Sequence, residues 1–262
     1  MPFHLDGWVG GLGNQLFSLC ILYSLAKKYN TTFSLPLDTL YSTSYCPNTL
    51  VAYDIVRPFL TDGTYAELSM SLPQSIYKVV QFSQYTISQD TANTVVIIQG
   101  LPMMYSMFSE HIPLLRSLIH TSQKIQYTDT LYIGVRTFSR EQASHCRTSL
   151  EYYKRAIEYI SIKEKKSAVH IYTDKGGSSS ELAEYIHTYF GESCTITEFC
   201  GSASEKTDIE HFYNSFYYDT FILCNSTFHY WGPIFSHQTK EVVYPAECEW
   251  YHHIADPRWI RL

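Results

Sequence analysis

One short stretch near the N-terminus, Val9-Gly10-Gly11-Leu12-Gly13-Asn14-Gln15-Leu16-Phe17, constrains this chain more than any other. Three glycines in four positions stand between a short apolar start and a long apolar run. Glycine is required where the backbone takes a positive φ or where another group approaches it closely. A strand, a glycine turn and a helix in that order aim backbone N–H groups and the positive end of the helix dipole at an anion. The spacing is not the dinucleotide fingerprint, because the third glycine comes too early, and no Gly-Lys-Ser/Thr follows to make a nucleotide P-loop. The competing reading is a tight turn that packs a helix closely on a sheet. Asn14 and Gln15 favour a ligand, since two carboxamides at a helix mouth can grip polar atoms and are costly to bury alone.

A chain of 262 residues is one large domain or two ordinary ones. Its net charge of -6 offers no global basic field, so nucleic acid is not an expected partner and a bound anion must be held locally. Tyrosine is abundant, 23 residues against 14 Phe, which suits half-polar pockets or simply reflects composition. The seven cysteines are scattered, odd in number and without a Cys-x-x-Cys pair, which argues against a disulfide framework or a zinc knuckle. Several stand in apolar runs and read as small core residues. The start Met1-Pro2-Phe3-His4 has no basic region followed by an apolar one, and the run Leu16 to Ala26 is too short to span a bilayer. The expectation is a soluble cytoplasmic protein with no transmembrane segment.

Taken in order, residues 3–9 read as a strand, 14–29 as a buried helix and 31–35 as a second strand. Residues 38–90 read as irregular loops and short helices. Thr94 to Gly100 reads as a buried strand and Tyr105 to Ile119 as a helix. The second half is more regular. Strands are expected at 131–135, 168–173, 194–199, 220–224 and 241–244, with helices at 149–162, 178–190, 207–216 and 228–235. Ser178 with Glu181, and Thr207 with Glu210, have capping-box spacing. Strands alternating with helices imply parallel sheets covered on both faces. A boundary falls near 120–130, where Thr121-Ser122-Gln123-Lys124 looks like a linker, giving lobes at 1–128 and 129–262.

In open α/β sheets ligands bind at the carboxyl ends of the strands. The polar residues expected there are Gly10 to Gln15, Arg136, Asp174, and Asn225 to Thr227. Arg136 could grip a phosphate bidentately, or be a surface arginine at a strand end. Asp174 could accept from a base or a ribose hydroxyl, or cap a helix. Asn225-Ser226-Thr227 precede a helix and could form an anion cradle with its first N–H groups, or be an ordinary cap above buried aromatics.

Two of these stretches carry a family resemblance. Gly10-Gly11-Leu12-Gly13-Asn14-Gln15-Leu16-Phe17 resembles the N-terminal signature of the α-1,2-fucosyltransferases, glycosyltransferase family 11. Asn225-Ser226-Thr227-Phe228-His229-Tyr230-Trp231-Gly232 resembles that family's Asn-Ser-Thr-Phe-Ser-Trp-Trp-Gly box. Weaker likenesses fall between and after them, at Ile98-Gln99-Gly100, Tyr152-Tyr153, Ile171-Tyr172-Thr173-Asp174 and Pro245 to Trp250. The resemblance implies a GT-B-like fold, two Rossmann-like lobes with a donor cleft between them and a C-terminal tail that can return to the first lobe. It implies an inverting, metal-independent transferase moving L-fucose from GDP-β-L-fucose to a galactose-containing glycan, forming an α-1,2 link. Carried over, Arg136 would hold the pyrophosphate, Asp174 the guanine, and Ser226 and Thr227 the phosphates. Gly11, Asn14 and Gln15 would face the phosphate or fucose from the other lobe. The family's His-x-Arg-Arg-Gly-Asp box departs here to Gly134-Val135-Arg136-Thr137-Phe138-Ser139, keeping only the first arginine.

Such a transfer develops charge on the β-phosphate, which Arg136 and backbone N–H groups near Gly11 and Ser226 could stabilise. No cofactor is expected: no Asp-x-Asp stands in the chain and its acidic clusters lack ligand spacing. Glu141 and His145, just after Arg136, are the candidate bases, with Asp38 on the other lobe a further one. The alternatives are transfer of another GDP-linked sugar and a GDP-sugar or glycan-binding protein that has lost catalysis.

Overall fold

The computed structural model describes residues 2–37, 54–67, 77–81, 95–99, 103–119, 126–136, 148–173, 180–200 and 205–262. It is an α/β protein with two parallel sheets. The chain divides into two compact units, Met1–His120 and Thr121–Leu262.

The first unit holds a four-stranded sheet of β1 (Phe3–Leu5), β2 (Phe33–Ser34), β3 (Tyr77–Gln81) and β4 (Val95–Gln99), ordered β2-β1-β4-β3. Helix α1 (Leu12–Lys28) connects β1 to β2, as a parallel pair requires. It is buried almost all round, from Leu12 to Ala26, which is why its apolar residues show no single stripe. Short helices α2 (Arg57–Thr61) and α3 (Ile112–Leu118) complete the described part. The helix expected over 105–119 is broken. Two 3-10 turns, Tyr105–Met107 and Ser109–His111, precede α3, and Pro113 stands in its first turn, where a missing N–H costs nothing. Strand β3 lies where only loops and short helices were expected.

Among its described residues the second unit alternates strand and helix: β5 (Tyr127–Val135), α4 (Leu150–Lys163), β6 (Ala168–Thr173), α5 (Ser180–Phe190), β7 (Thr195–Cys200), α6 (Glu205–Asn214), β8 (Tyr218–Ile222), α7 (Thr227–Phe235), β9 (Glu241–Tyr244), α8 (Tyr251–Ile254) and β10 (Ile260–Arg261). Its sheet is ordered β10-β9-β8-β5-β6-β7, with every pair parallel. Counted from β5 as first, this is the doubly wound order 3-2-1-4-5-6. One of its two edge strands is β10, which pairs with β9; the other is β7.

Both faces of this sheet are covered. Leu131, Ile133, Val135, Val169, Ile171 and Ile222 pack against α4 and α5, through Tyr153, Ala156, Ile157, Ile160, Leu182 and Ile186. The opposite face is aromatic. Tyr132, Tyr172 and Phe199 stack across three adjacent strands, with centroids 4.7 Å apart at each step. Tyrosine hydroxyls on this face find partners inside the fold: His170 Nδ1 lies 2.5 Å from Tyr218 Oη, which lies 3.0 Å from Tyr172 Oη. Much of the tyrosine content of this unit therefore serves a core whose polar tips are satisfied internally. Helix α6 begins at Glu205, so Thr207, expected to cap it, lies inside the helix with Glu210. The Ser178 box lies outside the described residues. Of the five cysteines among the described residues, four are buried: Cys20, Cys194, Cys224 and Cys248.

The amino end of the second sheet carries a charge cluster. Asp219, fully buried at the start of β8, lies 3.3 Å from buried Lys166 Nζ and 2.6 Å from Lys240 Nζ, and accepts from Thr220 Oγ1 at 2.8 Å. Lys166 also meets Glu164 at 2.9 Å and donates to the Thr128 carbonyl at 3.2 Å. Removing one partner strands a buried charge. Asp219→Asn is expected to lower unfolding stability by about 3 kcal/mol in urea titrations. Glu164→Gln, at the exposed rim, is expected to cost under about 1 kcal/mol.

Candidate functional site

The first candidate element is the glycine turn between β1 and α1. The chain leaves β1 with Asp6 N–H donating to the Ile98 carbonyl at 3.0 Å, and Trp8 Nε1 donates to the Pro36 carbonyl at 2.8 Å. Gly10 has φ +70°, the left-handed region, and a Cβ there would lie 2.0 Å from Asn14 Nδ2. Gly11 is an ordinary extended residue that caps α1, with open space where its Cβ would stand. Gly13 lies within the first turn of the helix. Gln15 is fully buried and donates to the Gly10 carbonyl at 2.9 Å, so its carboxamide braces the turn from within. Only Gly10 is therefore fixed by backbone conformation. Gly10→Ala is expected to lower stability by about 1–2 kcal/mol, while Gly11→Ala stays within about 0.5 kcal/mol; thermal unfolding of the two variants tests the difference.

The second element is the carboxyl end of β5 and β8. Going from β5 the chain moves to β6 and β7, and returns to build β8, β9 and β10 on the other side. The β5/β8 pair is thus the topological switch point, where an open α/β sheet leaves a crevice. Arg136 follows β5 directly, and Asn225-Ser226 follow β8 and start α7. Tertiary folding brings them together: Arg136 Nη1 donates to Ser226 Oγ at 3.4 Å. Ser226 is the extended cap of α7, and its side chain makes no capping bond to the helix. Thr227 is the first helical residue, and α7 has no acidic residue in its first turn. A guanidinium and the positive end of a helix dipole therefore share one spot, which favours an anion between them.

The other helix at this crevice is α4, which follows β5. Its N-terminus is already served by a carboxylate of the chain. Glu247 accepts from the Ser149 N–H at 3.5 Å and from Ser149 Oγ at 3.3 Å, while Ser149 Oγ accepts from Tyr152 N–H at 3.2 Å. Glu247 stands on the loop after β9, and only the sheet order puts it beside α4; no sequence spacing signalled it. Asn225 is a brace as well as a lining residue. Its N–H donates to Thr148 Oγ1 at 3.0 Å and its Oδ1 accepts from Trp250 Nε1 at 2.6 Å. Buried tyrosine hydroxyls hold the strand ends: Tyr152 Oη donates to the Leu223 and Val243 carbonyls and Tyr251 Oη to the Cys224 carbonyl.

No family model matches the chain, and no curated protein matches it. Among the described residues, no group of three or more His, Cys, Asp or Glu could hold a metal ion, and no helix is long and apolar enough to cross a membrane. Asp174, the expected base-binding carboxylate, and the candidate bases Glu141, His145 and Asp38 all lie outside the described residues.

One residue at the site gave no functional signal in the sequence. His229, in the first turn of α7, is buried with Nδ1 2.5 Å from Tyr132 Oη. Burial, with Arg136 and His211 nearby, pushes its pKa down to about 3, so the ring is neutral at pH 7. The linkage has a definite sign. The unfolded chain takes up the proton below about 6.5, so stability is complete above that pH and falls as pH drops towards about 3. Burial lowers His170 and His211 in the same sense. His229→Phe is expected to flatten the acid limb of the stability curve between pH 6 and pH 4. The flattening should approach about 1.4 kcal/mol per pH unit in urea titrations compared with the parent chain.

Proposed function

We propose that the chain is an inverting glycosyltransferase that holds the diphosphate of a GDP-sugar at the β5/β8 switch point, with GDP-β-L-fucose as donor and a galactose-containing glycan as acceptor. The observation that carries this reading is the convergence of Arg136 on Ser226, the cap of α7, at the switch point of a doubly wound sheet. The donor class comes from the resemblance of residues 10–17 and 225–232 to the α-1,2-fucosyltransferases. A GT-B-like pairing of the two units, with the glycine turn of the first facing the donor, belongs to the same proposal.

In the proposed reaction the acceptor hydroxyl oxygen forms a bond to the anomeric carbon. The bond from that carbon to the β-phosphate oxygen breaks, and GDP leaves with the electron pair. Negative charge grows on the β-phosphate, where Arg136 and the first N–H groups of α7 offer preorganised donors. The hydroxyl proton passes to a base, for which Glu141 and His145 are the candidates. α7 suits this role better than α4, because Glu247 already supplies α4 with a negative partner.

A panel of GDP-sugars, assayed for GDP release with and without glycan acceptors, tests the proposal. Release is expected with GDP-fucose and is expected to survive chelation by EDTA. Arg136→Ala is expected to weaken GDP binding by about 10- to 100-fold, or about 1.4–2.8 kcal/mol. Arg136→Lys is expected to recover only part of this, since an ammonium cannot grip two oxygens in one plane. Absence of fucose-dependent release, or activity restored only by magnesium or manganese, would refute the assignment.

A further inference from the structure

Side chains alternate along a strand, so Tyr132 and Gly134 share one face of β5, and Arg136 follows the strand directly. Helix α7 covers that face. The ring of His229 occupies the space that a side chain at 134 would fill. A Cβ on Gly134 would lie 2.7 Å from His229 Cγ and 3.0 Å from Nδ1, closer than real contacts allow. Gly134 lies in a regular strand, so its glycine is required by space and not by a special φ. The same ring is tethered to the Tyr132 hydroxyl at 2.5 Å. From the other face of the sheet, Tyr153 Oη donates to the Gly134 carbonyl at 2.9 Å. The strand is thus clamped between α4 and α7 two residues before it delivers Arg136, and His229 lies three residues beyond Ser226, the cap that Arg136 meets.

We propose that His229 is a positioning residue of the anion site: seated on Gly134 and tethered to Tyr132, it fixes the height of the first turn of α7 above β5 and so sets Ser226 against Arg136. This rests on the switch point being a nucleoside diphosphate site. The ring carries no charge at pH 7, so its effect on an anion is geometric and is transmitted through Arg136 and the cap of α7. A histidine that merely filled the core would affect stability and leave the Arg136 contribution unchanged.

A double-mutant cycle separates the two roles. The probes are GDP and inorganic pyrophosphate, titrated by calorimetry into the full chain. Tyr132→Phe removes only the tethering hydroxyl and keeps the stacked ring; His229→Phe keeps a ring and removes Nδ1. Each is expected to weaken both probes about tenfold in the parent chain and less than twofold when Arg136 is already alanine. Thermal unfolding of each variant establishes that it is folded, and Tyr132→Phe serves if His229→Phe is not. Equal losses with and without Arg136, or no loss in either, would overturn the positioning role while leaving the diphosphate site standing. If the parent chain binds neither probe, the site assignment falls and the positioning role falls with it.

Discussion

A parallel sheet that is wound outward from its centre in both directions cannot close over its central pair of strands. Helices α4 and α7, which follow β5 and β8, lie on opposite faces of the sheet, and this is the arrangement at which open α/β sheets generally leave a crevice. Everything of functional interest in the second unit follows from which side chains stand at that crevice. Arg136 is there because β5 ends one residue before it. Ser226 is there because β8 ends four residues before it and the chain must turn into α7.

Electrostatics then distinguishes the two helices. A helix start is a partial positive charge, and each needs something to balance it. At α4 the chain supplies Glu247 from the loop after β9. At α7 it supplies no acid in the first turn and a guanidinium nearby. At the opposite end of the same sheet, Asp219, Lys166, Lys240 and Glu164 balance one another internally. The charges of the amino end pair with one another, whereas a helix dipole and a cation of the same sign meet at the carboxyl end. This asymmetry is what supports the proposal of an anionic ligand at the switch point.

The glycines show how much of a motif is conformational. Of the three in the N-terminal turn, only Gly10 takes a left-handed φ, and Gln15 closes the turn onto its carbonyl. Gly134, which looks like a loss from a polar box when the sequence is read alone, makes room for an imidazole from a different part of the chain. A missing side chain on a strand and an extra ring on a helix are one packing solution, and neither position reveals it singly.

The sequence by itself determined the α/β character, the alternation of strand and helix in the second half, and the placing of Arg136 and Asn225 to Thr227 at strand ends. These follow from apolar periodicity and from turn residues, which are local. Tertiary structure alone decided the order of the strands, and with it the meeting of Arg136 with Ser226, of Glu247 with Ser149 and of His229 with Gly134. Partners 90, 98 and 95 positions apart share no local pattern, because their proximity is set by which strands pair. Strand β3 and the broken helix before α3 escaped the sequence for a related reason: short segments take their form from neighbours rather than from their own propensity.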